Sequence, residues 1–127
     1  MAKFLSEDHM TAGTAALNAD AGFQGAMTGV DLGLQFNVTG APDGDVDYYL
    51  SVGDGSAALG LGALDGFDAS VGSDYETSAA ISKGELNVQM AFMSGKIKVG
   101  GNMAKIMMYQ GLINEFARVT STLDIEY

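Results

Sequence analysis

From Val30 the hydrophobic pattern settles into a period of two: Val30, Leu32, Leu34, Phe36 and Val38 alternate with Asp31, Gly33, Gln35 and Asn37. Successive side chains of a β-strand point to opposite faces, so an alternation this long specifies a strand with one buried and one wet side. The pattern recurs after each cluster of turn formers. Val46, Tyr48, Leu50 and Val52 alternate after "TGAPDGD", Ala57, Leu59, Leu61 and Ala63 after "GDG", and Phe67, Ala69 and Val71 after Asp65–Gly66. Glycines inside these runs (Gly33, Gly60, Gly62) weaken local packing and mark bulges or something lying close to the backbone.

Helical signals flank the strands. Ser6 is a candidate cap for a helix to Asn18, with Glu7 and Asp8 in its positive first turn, and a weaker helix covers Asp20 to Met27. After the fourth strand, Ser73 or Asp74 caps a short helix ending near Lys83–Gly84. A second helix runs from about Glu85 to Ser94, closed by Gly95. "KIKVG" reads as a short strand with Ile97 and Val99 on one side, and Asn102 starts a final helix to about Arg118. Four strands, a helical pair, one more strand and a long helix make an α+β fold: a five-stranded, mostly antiparallel sheet covered on one face by helices.

At 127 residues the chain is expected to form one domain, 1–127, with a core that needs no staples. It has no Cys, which excludes disulfides, thiolate metal sites and a Cys nucleophile. Sixteen acidic against 6 basic residues give a net charge of −10, which repels nucleic acid and anionic surfaces. No apolar run approaches a membrane span, so stable membrane insertion is not expected. The N-terminal "MAKFLSEDHM" has no secretory h-region and "LDIEY" is neither a peroxisomal nor an ER address, so a cytoplasmic location is expected.

Local motifs give no chemistry. His9 is the only histidine and has no evident metal partner; it reads as a surface or satisfied side chain. Asp43 to Asp54, "DGDVDYYLSVGD", opens like a calcium loop but has Tyr48 at its sixth position and Asp54 at its twelfth. "SGK" at Ser94–Lys96 has Met90 where a phosphate loop needs glycine, and "GLGALDG" has Asp65 in place of a third glycine. No "GxSxG" elbow occurs. The expectation is no enzyme, no catalytic residues, no metal and no cofactor.

What stands out is "AFMSGKIKVGGNMAKIMMYQ", Ala91 to Gln110, with Met93, Met103, Met107 and Met108. Methionine is soft and adaptable, so a cluster of it points to a surface that must accommodate varied shapes. On a continuous helix from Asn102 to Val119, the apolar residues Ile106, Met108, Tyr109, Leu112, Ile113 and Phe116 spread over an arc of about 180°, against the ~100° that one packing contact requires. Either the helix lies deep between sheet and other helices, or part of the arc lines a cavity.

"GELNVQMAFMSGKIKVGGNMAKIMMYQGLI" resembles the signature region of the sterol carrier protein 2-like family. Ala91–Val99 match a helix-to-strand "aFmsGKlkv" pattern, and Gly101, Asn102, Met103 and Lys105 match its "G-[DN]-M-x-K" helix start. The preceding Gly84 and Leu86 match its "G-x-L" step, and "FLSEDHMTAGTAALNAD" is similar to the first helix of small bacterial members. The resemblance implies an apolar tunnel between sheet and helices. It also implies non-catalytic binding and intracellular transfer of a lipid: a fatty acid, acyl-CoA or sterol. The linear reading sets the fourth strand beside the third; the resemblance sets it beside the first. It makes Phe92, Met93, Ile97, Met103, Ile106, Met108, Tyr109, Leu112, Ile113 and Phe116 candidate tunnel lining. Phe36, Tyr48 and Leu50 are weaker candidates. The expected partner is a small apolar ligand, with the chain a monomer or weak homodimer. The alternative from the same methionines is a structural or regulatory module that docks its Met-rich helix on a partner protein.

Overall fold

The computed structural model describes residues 2–42 and 44–127. After a two-residue strand β1 (Ala2–Lys3) come helices α1 (Glu7–Ala19) and α2 (Ala21–Met27), each started by a side chain that accepts a free backbone N–H: Ser6 from His9, Asp20 from Phe23. Strands β2 (Leu32–Thr39), β3 (Val46–Gly53) and β4 (Ser56–Leu61) form an antiparallel meander, followed by β5 (Ala69–Asp74). Next are α3 (Tyr75–Ser82), capped by Asp74, α4 (Val88–Met93), capped by Asn87, and strand β6 (Ile97–Gly101). Helices α5 (Met103–Met108) and α6 (Gln110–Ser121) precede β7 (Ile125–Glu126), which pairs in parallel with β1.

The five-stranded sheet has the order β4-β3-β2-β5-β6, antiparallel except for the β2/β5 pair. The fourth long strand therefore lies beside the first, as the family resemblance implies and not as the linear reading sets it. Side chains on β2 explain how the chain returns. Gln35 is buried on the sheet's outer face, where its amide donates to the carbonyls of Tyr48 and Gly62, both at 3.0 Å, and its carbonyl accepts from Leu64 N–H at 2.6 Å. Asp68 closes the crossing by accepting from Gly33 N–H at 2.8 Å. A Cβ on Gly33 would lie 3.0 Å from Leu64 Cδ2, so the crossing segment needs glycine beneath it. Gly60 likewise makes room for the Tyr49 ring.

The helices cover the other face. Leu32, Leu34, Leu50 and Val52 are fully buried there against Leu17, Phe23 and Met27. Helix α1 also closes the β4 edge, where pairing groups would otherwise face water. Thr14 Oγ1 accepts from Leu59 N–H at 2.9 Å, and the Asn18 amide accepts from Ala57 N–H and donates to Ala57 O at 2.9 and 2.8 Å.

Two helices differ from expectation. The second helix of the pair is shorter, beginning at Val88 after Asn87 takes the capping role. The expected helix from Asn102 to Arg118 is broken at Tyr109, whose backbone sits at φ −104°, ψ 26°. Gly111, a poor helix former, lies two residues further on, and α6 packs on α1, α2 and α3 whereas α5 packs on α6. α6 buries Leu112, Val119 and Thr120, whereas α5 buries nothing completely.

Candidate functional site

Between sheet and helices lies a cavity of about 500 Å³. Strand register builds its floor. Tyr48 pairs with Phe36, Phe36 with Val71 and Val71 with Val99, which puts these four side chains in one row across β3, β2, β5 and β6. Three strand gaps make the row roughly 14 Å long. Tyr48 and Phe36 stack at 4.7 Å, and Phe116 of α6 approaches Phe36 at 5.9 Å. All four floor residues are only half-buried, although three lie on interior strands of the sheet.

The walls come from α3, α4, α5 and α6. Phe92 (46% exposed), Met93 (85%), Met103 (39%) and Met107 (72%) border the cavity and also face solvent, so its mouth lies under α4 and α5 beside β6. The short α5 is held there by a clasp. Lys105 Nζ meets Asp68 Oδ1 at 3.0 Å, and Asp68 O accepts from Asn102 N–H at 2.8 Å. Gly33 N–H, and then Lys105, hold the Asp68 carboxyl below the usual carboxylate range, and Asp68 in turn raises Lys105.

Three serines on the wall are engaged, while Gln89, Gln110 and Asn114 also border the cavity. Ser73 and Ser78 share a hydrogen bond at 2.5 Å, and Ser82 accepts from the Tyr127 hydroxyl at 2.6 Å. No Lys, Arg, Asp or Glu is among the described residues that border the cavity. Among the described residues no group of three or more His, Cys, Asp or Glu side chains could hold a metal ion. Asp43, the first residue of the calcium-like stretch, lies outside the described residues. Asp47 of that stretch accepts from Asn37 Nδ2 at 2.8 Å.

Of the residues singled out in the sequence, Phe92, Met93, Ile97, Met103, Ile106, Ile113 and Phe116 border the cavity. Met108, Tyr109 and Leu112 do not. Leu112 is 2% exposed in the solid core, Tyr109 packs against that core, and Met108 is 68% exposed to solvent. The break at Tyr109 interrupts the continuous arc on which Met108 and Tyr109 were placed, and on α6 the arc is wide enough to put Leu112 in the core while Ile113 and Phe116 border the cavity. Phe36 and Tyr48 are on the floor, but Leu50 is core. The sequence reading missed Val71, the serines of β5 and α3, and His9, which is 5% exposed and borders the cavity. For Val71 the alternation of the fourth strand was a usable signal. For His9 there was none.

A model of the SCP-2 sterol transfer family matches residues 15–114. The chain belongs to this family. A search of curated protein sequences gives no significant match. Solved structures share the fold at low identity. A crystal structure of sterol carrier protein 2 has a TM-score of 0.82 at 20% identity, covering 95% of this chain and 99% of that one. Sterol carrier protein 2 from Yarrowia lipolytica, in its apo form, has a TM-score of 0.65 at 20% identity, covering 94% and 98%. Palmitated SCP2L2 from Aedes aegypti has a TM-score of 0.62 at 21% identity, covering 84% and 91%. The family match includes the α4–β6–α5 mouth and the whole floor row, while His9 and Phe116 lie outside it.

Proposed function

We propose that this chain, working as a single domain over 1–127, binds an apolar lipid in the cavity and carries it between sites in the cytoplasm without chemical conversion. A fatty acid, an acyl-CoA or a sterol-like molecule fits this description. Family membership supports a lipid ligand in general. The observation that carries the reading is the row Tyr48–Phe36–Val71–Val99: apolar side chains in a well-ordered sheet that the protein's own helices leave uncovered. An enclosed apolar space of ~300–1,000 Å³ is the usual dimension of a ligand site. About ten buried methylenes contribute roughly 8 kcal/mol, which corresponds to a micromolar dissociation constant before ordering costs are subtracted.

The absence of charge among the described residues of the wall supports binding over catalysis, as do the hydrogen bonds that occupy Ser73, Ser78 and Ser82. Among the described residues no helix is long and apolar enough to cross a membrane. The net charge of −10 supports a free-standing monomer or weak homodimer that does not bind nucleic acid. Docking on a partner protein draws on the same methionines, but Met93, Met103 and Met107 already border the cavity, so they need no partner to explain them.

The test is titration of a fluorescent fatty acid into delipidated protein, with native mass spectrometry of lipid that co-purifies. Saturable micromolar binding is expected in the wild type, and a loss of at least about tenfold in Val71→Trp, whose indole fills the floor while the fold persists. Absence of saturable binding by the wild type would remove the lipid reading.

A further inference from the structure

The end of the cavity opposite its mouth carries two polar groups of its own, His9 and Tyr48, apart from the Ser, Thr, Gln and Asn side chains elsewhere on the wall. The floor row runs from Val99 on β6, beside the exposed methionines, to Tyr48 on β3. Tyr48 packs against the small cluster that contains Phe4 and Leu5, and the His9 ring lies 5.4 Å from Phe4. His9 and Tyr48 thus border the same inner end.

Leu5 N–H donates to His9 Nδ1 at 3.0 Å. A nitrogen that accepts a hydrogen bond carries no proton, so the neutral ring has its proton on Nε2. Protonating Nδ1 as well would set two N–H groups against each other, and would release Leu5 from a buried turn at φ +64°. Burial acts in the same direction, lowering the His9 pKa and raising that of Tyr48. The inner end therefore holds two neutral groups and no cation. Neither His9 Nε2–H nor the Tyr48 hydroxyl has a hydrogen-bond partner among the described residues.

We infer that the inner end of the cavity is a headgroup site for an uncharged oxygen, a lipid hydroxyl or carbonyl, which accepts from His9 Nε2–H and exchanges a hydrogen bond with the Tyr48 hydroxyl. This rests on the lipid-binding reading and deepens it. The ligand enters polar end first and leaves its apolar tail toward Val99 and the methionines of the mouth. An ionised carboxylate at the inner end would be a buried charge with no counter-charge, which costs far more than two hydrogen bonds return. A fatty-acid anion must leave its head in water at the mouth.

The experiment compares dodecanol with dodecanoate as competitors of a fluorescent probe on delipidated protein at about pH 8, where the acid is ionised. Dodecanol is expected to bind at least about tenfold more tightly. His9→Asn keeps an acceptor for Leu5 N–H but removes the Nε2–H donor. Tyr48→Phe removes only the hydroxyl and keeps the stack on Phe36. Each is expected to weaken dodecanol roughly fivefold and to narrow its advantage over dodecanoate by a similar factor. Nitrogen NMR of the imidazole should show the Nε2 signal moving on addition of dodecanol but not of dodecanoate. Equal affinity for the two ligands overturns the assignment while leaving the carrier reading intact, as does a preference that survives Tyr48→Phe, a variant with no role in the Leu5 turn. Failure of both ligands to saturate the wild type removes the carrier reading and this site with it.

Discussion

Two adjacent rows of the same sheet face have opposite fates. Leu59, Leu50, Leu34 and Ala69 pair across β4, β3, β2 and β5, and all are buried, although Leu34 and Leu59 also touch the edge of the cavity. One step along the strands, Tyr48, Phe36, Val71 and Val99 are as apolar and as regularly placed, yet they face empty space. The strands are nearly the same, so the difference lies in what covers them. Over the first row sit α1 and α6, of 13 and 12 residues, with α2 wedged against α6. Over the cavity one side of α6 and of α3 is joined by α4 and α5, six residues each, with Ala91 the one side chain those two short helices bury fully. A sheet face becomes core or cavity according to the length and anchoring of the helices above it.

That contrast breaks most directly through paired truncations. Leu50→Ala removes volume from a fully buried site that does not border the cavity, and a loss of about 2–5 kcal/mol in denaturant unfolding is expected. Val71→Ala, in the next row on a strand in the middle of the sheet, enlarges a space that is already there and should cost less than about 1 kcal/mol. If the two losses came out equal, the rows would not differ in packing.

Much of this frame was legible in the chain. Alternation marked the inward face of β2, β3 and β4 because that face is apolar whether helix or ligand lies above it, and for the same reason it could not distinguish Leu50 from Tyr48. Ser6, the pair Ser73–Asp74 and Asn102 marked helix starts because a cap is a local interaction, satisfied within three residues. Strand order was not local. It depends on Gln35 gripping a segment nearly thirty residues away, and only the family resemblance supplied it. The break at Tyr109 depended on neighbours that α5 and α6 do not share, so a helical projection of one segment placed Met108 and Tyr109 on the wrong surface, and it could not tell core from cavity at Leu112. His9 could not be found because its role depends on Leu5 turning its N–H back toward the ring.

A smaller effect is expected where the cover is fastened. Asp68→Asn retains an acceptor for Gly33 N–H but loses the charge that holds Lys105, and with it part of the grip on α5. The pair is partly exposed, at 24% and 26%, so the loss in global stability should stay under about 1 kcal/mol. The local effect is larger: amide exchange in α5 should accelerate while that in α6 stays unchanged, because α6 has its own core residues. The pH dependence has a definite sign. A carboxyl held below its ordinary value adds stability above that value, and the contribution fades as pH falls toward the lowered one. The acid-side loss below about pH 4 should therefore be shallower in Asp68→Asn than in the wild type.

The smallest effect on stability should come at the mouth. Met93 is 85% exposed and borders the cavity without supporting the core, so Met93→Gln should change stability by less than about 0.5 kcal/mol. Its consequence is kinetic. A methionine at the entrance offers a passing alkyl chain a soft apolar contact before the interior is reached, and glutamine offers an amide that stays hydrated. Stopped-flow measurement with a fluorescent fatty acid should show slower entry and exit, with an equilibrium constant changed by less than about threefold. A large change in affinity with unchanged rates would instead place Met93 on the bound ligand, and would extend the binding surface outward from the sheet to α4.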